Sequence, residues 1–576
     1  MSPTRQSHLV LPFYLIAALV LTWPLARHFD SHLPAVFTEY DALLHVFLIG
    51  WGWHGLTTDL LEVFNLPIFY PELRTLTYMD HMLGEAFLAG PIIEGFGLGA
   101  GYNSLVILSF VASGYFTYRL ARLYGISRAG SCVAGFLFAF CPYRFSHLGC
   151  LNQLQTQFIP LGLFFAVLFI RSGRMKYGVG AALTLAVQSY FGWYSTFHLL
   201  VALVLLLGWE VMREGGGWRR VPWRKGVPLA LMSAALALPV TLPYLLQRLD
   251  MPEYNRPFSE TIRCSADLLD YLRVNSDNIL AWLVPSLGHM FGFFPGVVPT
   301  VLATVAIASV YRKLQIPAPS EPRSGRGRLR ERVRAFRRLG DTGYLLVLGV
   351  SGFVLSLGPI LQVAGHRLWI PLPYALFYYI IPGFSSMRTP GRFAVLVALA
   401  AAVLAGVGFD ALRRRYPRLG SLLLVGTLLV AGALAWCPDL PFVPYPDRAS
   451  MPPVYSWLAA QPDSSPVLEL PVPARDGMES PTDVRRQMYV LYHGKPRLDG
   501  ASGFSSNRYN AFRREMQAFP AETSILRAYD MGARRLIIHY GDYAPGLQEG
   551  MRNRVEKAKN LREVAAFGQD VVYEIQ

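Results

Sequence analysis

Charge is what this chain is short of. Asp, Glu, Lys and Arg make up 16% of its 576 residues, against about 25% in an ordinary soluble domain. The shortage leaves apolar stretches of about 17 to 22 residues unbroken, long enough to cross a hydrocarbon layer of roughly 30 Å as helices. A soluble enzyme and a disordered regulator are thereby excluded. Cysteine is scarce as well, with five in all. Cys132 and Cys141 share one apolar block, Cys150 lies near the next, and Cys264 and Cys437 are isolated. That spacing gives no disulfide framework and reads as free buried thiols. The motifs of nucleotide, zinc-protease and acyl chemistry are also missing: there is no P-loop, HExxH, CxxC or GxSxG. The run Gly95-Phe-Gly-Leu-Gly-Ala-Gly101 lacks the spacing of a dinucleotide fingerprint and follows no strand. It reads as a flexible break ahead of an apolar span.

What is present is apolar, 53% of the chain, and it predicts an all-α polytopic membrane bundle of about 11 transmembrane helices with a small C-terminal α/β extracytoplasmic domain. The crossings fall at about 9–27, 101–122, 129–146, 151–170, 177–191, 193–212, 226–246, 294–311, 342–360, 390–412 and 419–437. The first is long and has no small-residue cleavage site behind it, so it reads as a retained span. The membrane part is 1–440 and the external domain 441–576.

The net charge of +15 would suit nucleic acid, but its position argues otherwise. Arg119, Arg122 and Arg128, then Arg171, Arg174 and Lys176, then Arg213, Arg219, Arg220, Arg224 and Lys225 lie in successive short loops on one side. Arg312, Lys313, eight arginines from Arg323 to Arg338, and Arg413, Arg414, Arg415 and Arg418 continue the set. Basic loops stay in the cytoplasm, so the partner of this charge is membrane lipid. Within the cytoplasmic basic loop 312–341, the run Ser324–Arg338 reads as a basic helix or coil on anionic headgroups, with a specific partner site as the alternative. The opposite side differs. Residues 28–100 hold nine acids and a single base, Arg74. A crossing within His81–Gly99 would invert every later loop, so this stretch is expected to lie along the outer surface or to dip in and return. The N-terminus is then cytoplasmic, and the loops 28–100, 247–293 and 361–389 and the tail are external. In the tail, Val467-Leu-Glu-Leu-Pro, Arg535-Leu-Ile-Ile-His-Tyr and Val571-Val-Tyr-Glu-Ile read as strands and Ser524–Met531 as a helix.

Chemistry is most legible in the first external loop. Thr38-Glu-Tyr-Asp-Ala-Leu-Leu-His45 opens a helical stretch running to His54. Leu43, Leu44, Phe47, Trp51 and His54 share one face, which predicts a helix in the interface with its aromatic side in lipid. Asp41 and His45, four residues apart, share another face, and a partly desolvated acid there suits a general base. A solvated acid on a surface helix is the simpler alternative. Asp80, His81 and Glu85 cluster at helical spacing and could orient a substrate or bind a metal. Further on, Thr389 suits an N-cap and Pro390 a first helical position, which puts Arg392 in the first turn of a span and Arg388 just before it. Cations there oppose the helix macrodipole. Two of them make sense if an anion such as a phosphate binds. Arg144 and His147 at one span end, with Asn152, Gln153 and Gln155 at the start of the next, are polar residues at a costly depth and fit either a cavity or the capping of a hairpin.

Taken in order along the chain, these residues resemble the GT-C superfamily of membrane glycosyltransferases, which take sugar from a polyprenyl-phosphate carrier. The features that carry the resemblance are Glu39-Tyr-Asp-Ala-Leu-Leu-His45, the Phe69-Tyr-Pro turn, Pro142-Tyr-Arg-Phe-Ser-His147, Ser265-Ala-Asp-Leu-Leu-Asp-Tyr271 and Pro382…Arg388-x-Pro-x-Arg392. It is nearest to bacterial members with a C-terminal external domain, and it implies the bacterial inner (plasma) membrane. It implies Asp41 as the catalytic base of an inverting transfer, with Arg388 and Arg392 on the lipid phosphate. Arg144 and His147 are further phosphate candidates. Glu39, His45, Asp80, His81 and Glu85 are candidates for supporting acid/base work or for orienting substrate, and Gln153 and Gln155 for lining the cavity. No cofactor is required by this reading. Glu39-Tyr-Asp41 only echoes the Asp-x-Asp of metal-dependent members, so a divalent metal stays open. The acceptor would be a glycan, lipid or protein; the tail would cap the cavity or select that acceptor through Arg485, His493 and Lys495, a purely structural tail being the alternative. The rival readings are a transporter or flippase of lipid-linked sugars and a non-catalytic envelope scaffold.

Overall fold

The structure, a computed structural model, describes residues 10–36, 38–213, 215–274, 278–279, 292–313, 335–381, 383–474 and 480–576. Most of the basic run from Arg323, and Pro382, lie outside the described residues. The described chain forms two compact units. One comprises the described residues of 1–28, 103–239 and 255–441, and the other those of 29–102, 240–254 and 442–576.

The first unit is helical. A helix occupies each of the stretches expected to cross. Among the described residues of the whole chain, six helices are long and apolar enough to span a membrane: Leu83–Leu123, Leu151–Ser172, Trp193–Met212, Trp223–Asp250, Pro390–Arg415 and Pro417–Ala435. Val10–Leu21, Val297–Arg312 and Asp341–Ser356 are apolar but shorter. Only 17% of the apolar window of Trp223–Asp250 and of Pro417–Ala435 is buried, and a bilayer is the solvent in which such bare apolar helices are stable. The Leu83–Leu123 helix carries the break expected in its glycine run: Gly97 has φ 87° and ψ 169°, outside helical space.

The hub of this unit is Ala394–Arg415, against which Val297–Lys313, Arg128–Ala139 and Asp341–Ser356 pack. Its Ala- and Gly-rich sequence allows close approach of backbones, the main source of helix association in lipid. At Gly408 a Cβ would sit 1.9 Å from the Leu302 carbonyl oxygen, so no other residue fits. The basic loops are tied down where they leave the helices. Arg171 pairs with Asp341 at 2.5 Å and Arg213 with Glu210 at 3.1 Å. All five cysteines are free.

The second unit joins residues 29–102 to the tail. Its four-stranded sheet runs in the order Val467–Leu470, Arg535–His539, Asp570–Ile575, Leu561–Phe567; the first pair is parallel and the others antiparallel. Three of these strands and the helix Glu522–Asp530 lie where the sequence reads them. The Leu561–Phe567 strand was not legible, because it is half-exposed and carries charge. Val467, Ile537 and Val572 face the helix Pro453–Ala459 through Val454, Tyr455 and Leu458 to form the core. The segment Arg497–Asp499 is hydrogen-bonded along the first-loop chain: Arg497 N–H donates to Pro67 O at 3.0 Å, Tyr70 N–H to Arg497 O at 2.9 Å, and Phe69 N–H to Asp499 O at 3.2 Å. His32–Pro34 likewise pairs antiparallel with Phe442–Pro444.

The helix Glu39–Thr58 corrects the interfacial expectation. Leu43, Leu44 and Phe47 are buried, and so are Val46, Leu48 and Ile49 on the other sides. Trp51 donates its indole N–H to Val63 O at 2.9 Å. Protein buries this helix from Ala42 to Ile49, while His54 at the far end of the expected face is exposed; an apolar face looks the same in sequence whether protein or lipid meets it.

Candidate functional site

In the second unit, Thr38 caps the Glu39–Thr58 helix, its hydroxyl accepting from Tyr40 N–H at 3.1 Å. Asp41 therefore stands in the first turn, half-buried, with His45 one turn on and 6% exposed. Glu39 is paired with Arg485, Nε to Oε1 at 2.8 Å. That pair fixes the start of the helix to the tail. Of the second cluster, His81 is buried and its Nδ1 accepts from Leu83 N–H at 3.2 Å, which starts the next helix. Glu85 is buried in the first turn of that helix, and Asp80 is half-buried just before it.

Among the described residues no group of three or more His, Cys, Asp or Glu is placed to hold a metal ion, and the Glu39 carboxylate meets the Arg485 guanidinium. The tail residues expected to meet an acceptor are also engaged. Lys495 Nζ donates to the carbonyls of Gln461, at 3.0 Å, and Asp463. His493 Nδ1 accepts from Lys495 N–H at 3.1 Å.

His493 is nevertheless informative. Burial depresses its proton affinity to about 4, against about 6.5 in an unfolded chain. As pH falls through 6.5 the unfolded state takes up the proton first, so the stability of this unit declines from pH 6.5 towards 4. The histidine accounts for roughly 3 kcal/mol of that decline. The melting temperature should fall over this window, and His493→Gln should flatten the slope.

In the first unit the arginine segment is built differently from its sequence reading. Pro390–Phe393 is a 3-10 turn leading into Ala394–Arg415. Pro390 takes the first position, but the Thr389 side chain makes no capping bond. Arg392 lies in this turn. Its guanidinium stacks on the Tyr194 ring at 4.2 Å, and its carbonyl accepts from the Tyr143 hydroxyl at 3.3 Å. Among the described residues no carboxylate pairs with it. Arg388 differs: its Nε lies 2.9 Å from Glu260 Oε1, and its N–H donates to the Tyr194 hydroxyl at 3.1 Å. Glu260 is shared, however, with Arg256 and Arg263, each at 3.7 Å. One carboxylate among three guanidinium groups leaves the patch strongly positive.

Arg144 is fully buried. Its Nη2 donates to Ser109 Oγ at 3.1 Å and Leu154 O at 3.0 Å, and its guanidinium lies over Phe110 at 4.8 Å. His147 Nδ1 is 2.8 Å from Tyr143 O. Both thus brace the hairpin. Yet Arg144 Nε and Nη1 have no hydrogen-bond partner. Gln153 and Gln155 are buried, with amide nitrogens in the same condition. Each such atom costs about 1–3 kcal/mol, and a polar ligand or water would relieve that cost. Asp267 of the Ser265–Tyr271 motif is structural: it caps its own turn and accepts from Ala364 N–H at 3.0 Å and Gly365 N–H at 2.8 Å.

Two residues escaped sequence reading. Gln188 and His198 are 0% and 1% exposed, and neither side chain has a hydrogen-bond partner. The signal was there: an ionisable side chain six residues into an apolar span is functional more often than not.

The fold is similar to that of GT-C membrane glycosyltransferases of known structure. No family model and no curated protein matches the chain in sequence. Among solved structures it is similar to the arabinofuranosyltransferase AftD from Mycobacteria, with a TM-score of 0.62 and 14% identity over 100% of this chain and 40% of that one. The archaeal oligosaccharyltransferase AglB from Archaeoglobus fulgidus, solved with an inhibitory peptide and a dolichol-phosphate, is similar over 94% of this chain and 70% of that one, with a TM-score of 0.51 and 13% identity. The chain thus spans about two fifths of AftD. Identities this low establish the fold and leave the chemistry to the site.

Proposed function

We propose that the chain is an integral-membrane glycosyltransferase that moves a sugar from a polyprenyl-phosphate carrier to an acceptor hydroxyl on the extracytoplasmic face of a bacterial inner membrane, with inversion. The observation that carries the reading is Arg392, a cation in the first turn of an apolar helix with no carboxylate partner among the described residues. A guanidinium in that position opposes the helix macrodipole. A phosphate bound there would meet both the guanidinium and the N–H groups of the turn. Arg388, in its positive patch, adds to the attraction. The dolichol-phosphate bound by AglB is a lipid phosphate of the same class.

Asp41 is assigned, on separate grounds of position and resemblance, as the base. Its carboxylate takes the proton of the acceptor hydroxyl. The acceptor oxygen attacks the anomeric carbon, and the bond to the phosphate oxygen breaks. The lipid phosphate leaves with the bonding electron pair. The acceptor is a glycan, a lipid or a protein.

The test is mass spectrometry of lipids that co-purify with wild type and with Arg392→Ala. Wild type should retain a polyprenyl phosphate or its glycosyl ester, and Arg392→Ala should lose it by about 10- to 100-fold, the range for a hydrogen bond to a charged group. Bulk phospholipid alone on the folded wild-type protein, from cells that make the carrier, would overturn the reading.

A further inference from the structure

We propose that His198 contacts the sugar and distinguishes a glycosylated lipid phosphate from the bare lipid, an inference that rests on Arg392 as the phosphate holder. His198 follows Tyr194 by one turn of the Trp193–Met212 helix, so the two side chains share a face. The Tyr194 ring carries the Arg392 guanidinium at 4.2 Å. The His198 ring stands edge-on to Phe393, the next residue, at 4.7 Å. An imidazole 1% exposed is thus held beside the unpaired cation, and neither ring nitrogen has a hydrogen-bond partner.

The chemistry of those two nitrogens selects the ligand. A second positive charge at that depth beside Arg392 would be costly, and a neutral imidazole offers one N–H donor and one acceptor nitrogen. The oxygens of an ionised phosphate, whether the diester of the loaded lipid or the dianionic monoester of the bare carrier, only accept. They can satisfy the N–H but leave the other nitrogen bare. A sugar hydroxyl both donates and accepts. A sugar esterified to a phosphate on Arg392 can donate one O–H to the acceptor nitrogen, while a second hydroxyl or a phosphate oxygen takes the N–H. A site that buries polar groups for a hydroxyl rejects the analogue lacking it, because those groups are then left unpaired. The bare carrier, the product of transfer, is such an analogue. His198 would therefore favour loaded donor over spent carrier.

The experiment compares wild type, His198→Leu, His198→Gln and Arg392→Ala in detergent. The probes are undecaprenyl phosphate and its glucosyl, mannosyl and arabinosyl esters, with binding read by native mass spectrometry and stability by melting temperature. His198→Leu should bind the ester that wild type prefers about tenfold more weakly and bind undecaprenyl phosphate within about twofold of wild type. It should melt higher, since two unpartnered polar atoms are replaced by a methylated side chain. His198→Gln should recover part of the preference. Equal losses for ester and bare lipid, no loss for either, or a wild type that prefers none of the esters to the bare lipid would each overturn the role of His198. Arg392→Ala should weaken ester and bare lipid together. If it binds both as wild type does, the phosphate assignment fails, whatever His198 does.

Discussion

Asp41→Asn is expected to lower glycosyl transfer by about 10²- to 10⁴-fold, the usual contribution of a general base, with the protein folded and its lipid still bound. The substitution keeps the shape of the side chain and removes its capacity to take a proton. The helix start does not depend on it, because Thr38 caps the helix through Tyr40 and Glu39 anchors it through Arg485. The side chain is half-buried in the first turn, so no core is opened by the change. The readout is release of undecaprenyl phosphate from its glycosyl ester in membranes, alongside melting temperature. A transporter or a scaffold would not respond to this substitution. Undiminished release by Asp41→Asn would move the base elsewhere.

The second large effect is on stability. Arg497→Met should destabilise the second unit by about 3–5 kcal/mol, the usual result of removing one partner of a buried ion pair. Arg497 and Glu469 are both fully buried. Arg497 lies 3.3 Å from Glu469 through Nε and grips Asp499 with Nε at 3.0 Å and Nη2 at 2.7 Å. Glu469 also accepts from the Tyr455 hydroxyl at 2.6 Å and lies 3.0 Å from His539 Nε2. The other His539 nitrogen is 2.8 Å from Asp570. Burial alone would raise the proton affinity of Glu469, but the Arg497 guanidinium and His539 hold it well below the usual carboxylate range. Without Arg497, two carboxylates stay buried with little compensation, and the strand segment that binds Pro67 and Tyr70 loses its anchor. In a unit of this size the melting temperature should drop by roughly 10 °C, with early proteolysis of the tail. Adding Glu469→Gln should restore part of the loss. A change below about 1 kcal/mol would mean that the network is open to water.

Much of this protein was legible locally. Apolar stretches of bilayer length placed the helices, because hydropathy is a property of consecutive residues. The short apolar runs Val467–Leu470 and Arg535–His539 placed two adjacent strands of the sheet, and the glycine run gave away the break at Gly97. Fold class followed from the order of these elements. The positions of Asp41 in a first turn and of Arg392 at a helix start were also readable, since capping and proline preferences act over four residues.

What the sequence alone determined, then, is which segments are helical, apolar or basic and in what order they come, because short-range periodicity and composition govern those properties. Only the tertiary structure decided which polar groups have partners. Glu260 reaches Arg388 from 128 positions away, and Glu39 reaches Arg485 from 446. These contacts separate an arginine neutralised by a neighbour from Arg392, which stacks on Tyr194 with no carboxylate. The same holds for His198, whose bare nitrogens exist only because the folded chain buries them without supplying a partner. Pairing across such separations depends on packing, which no local pattern encodes.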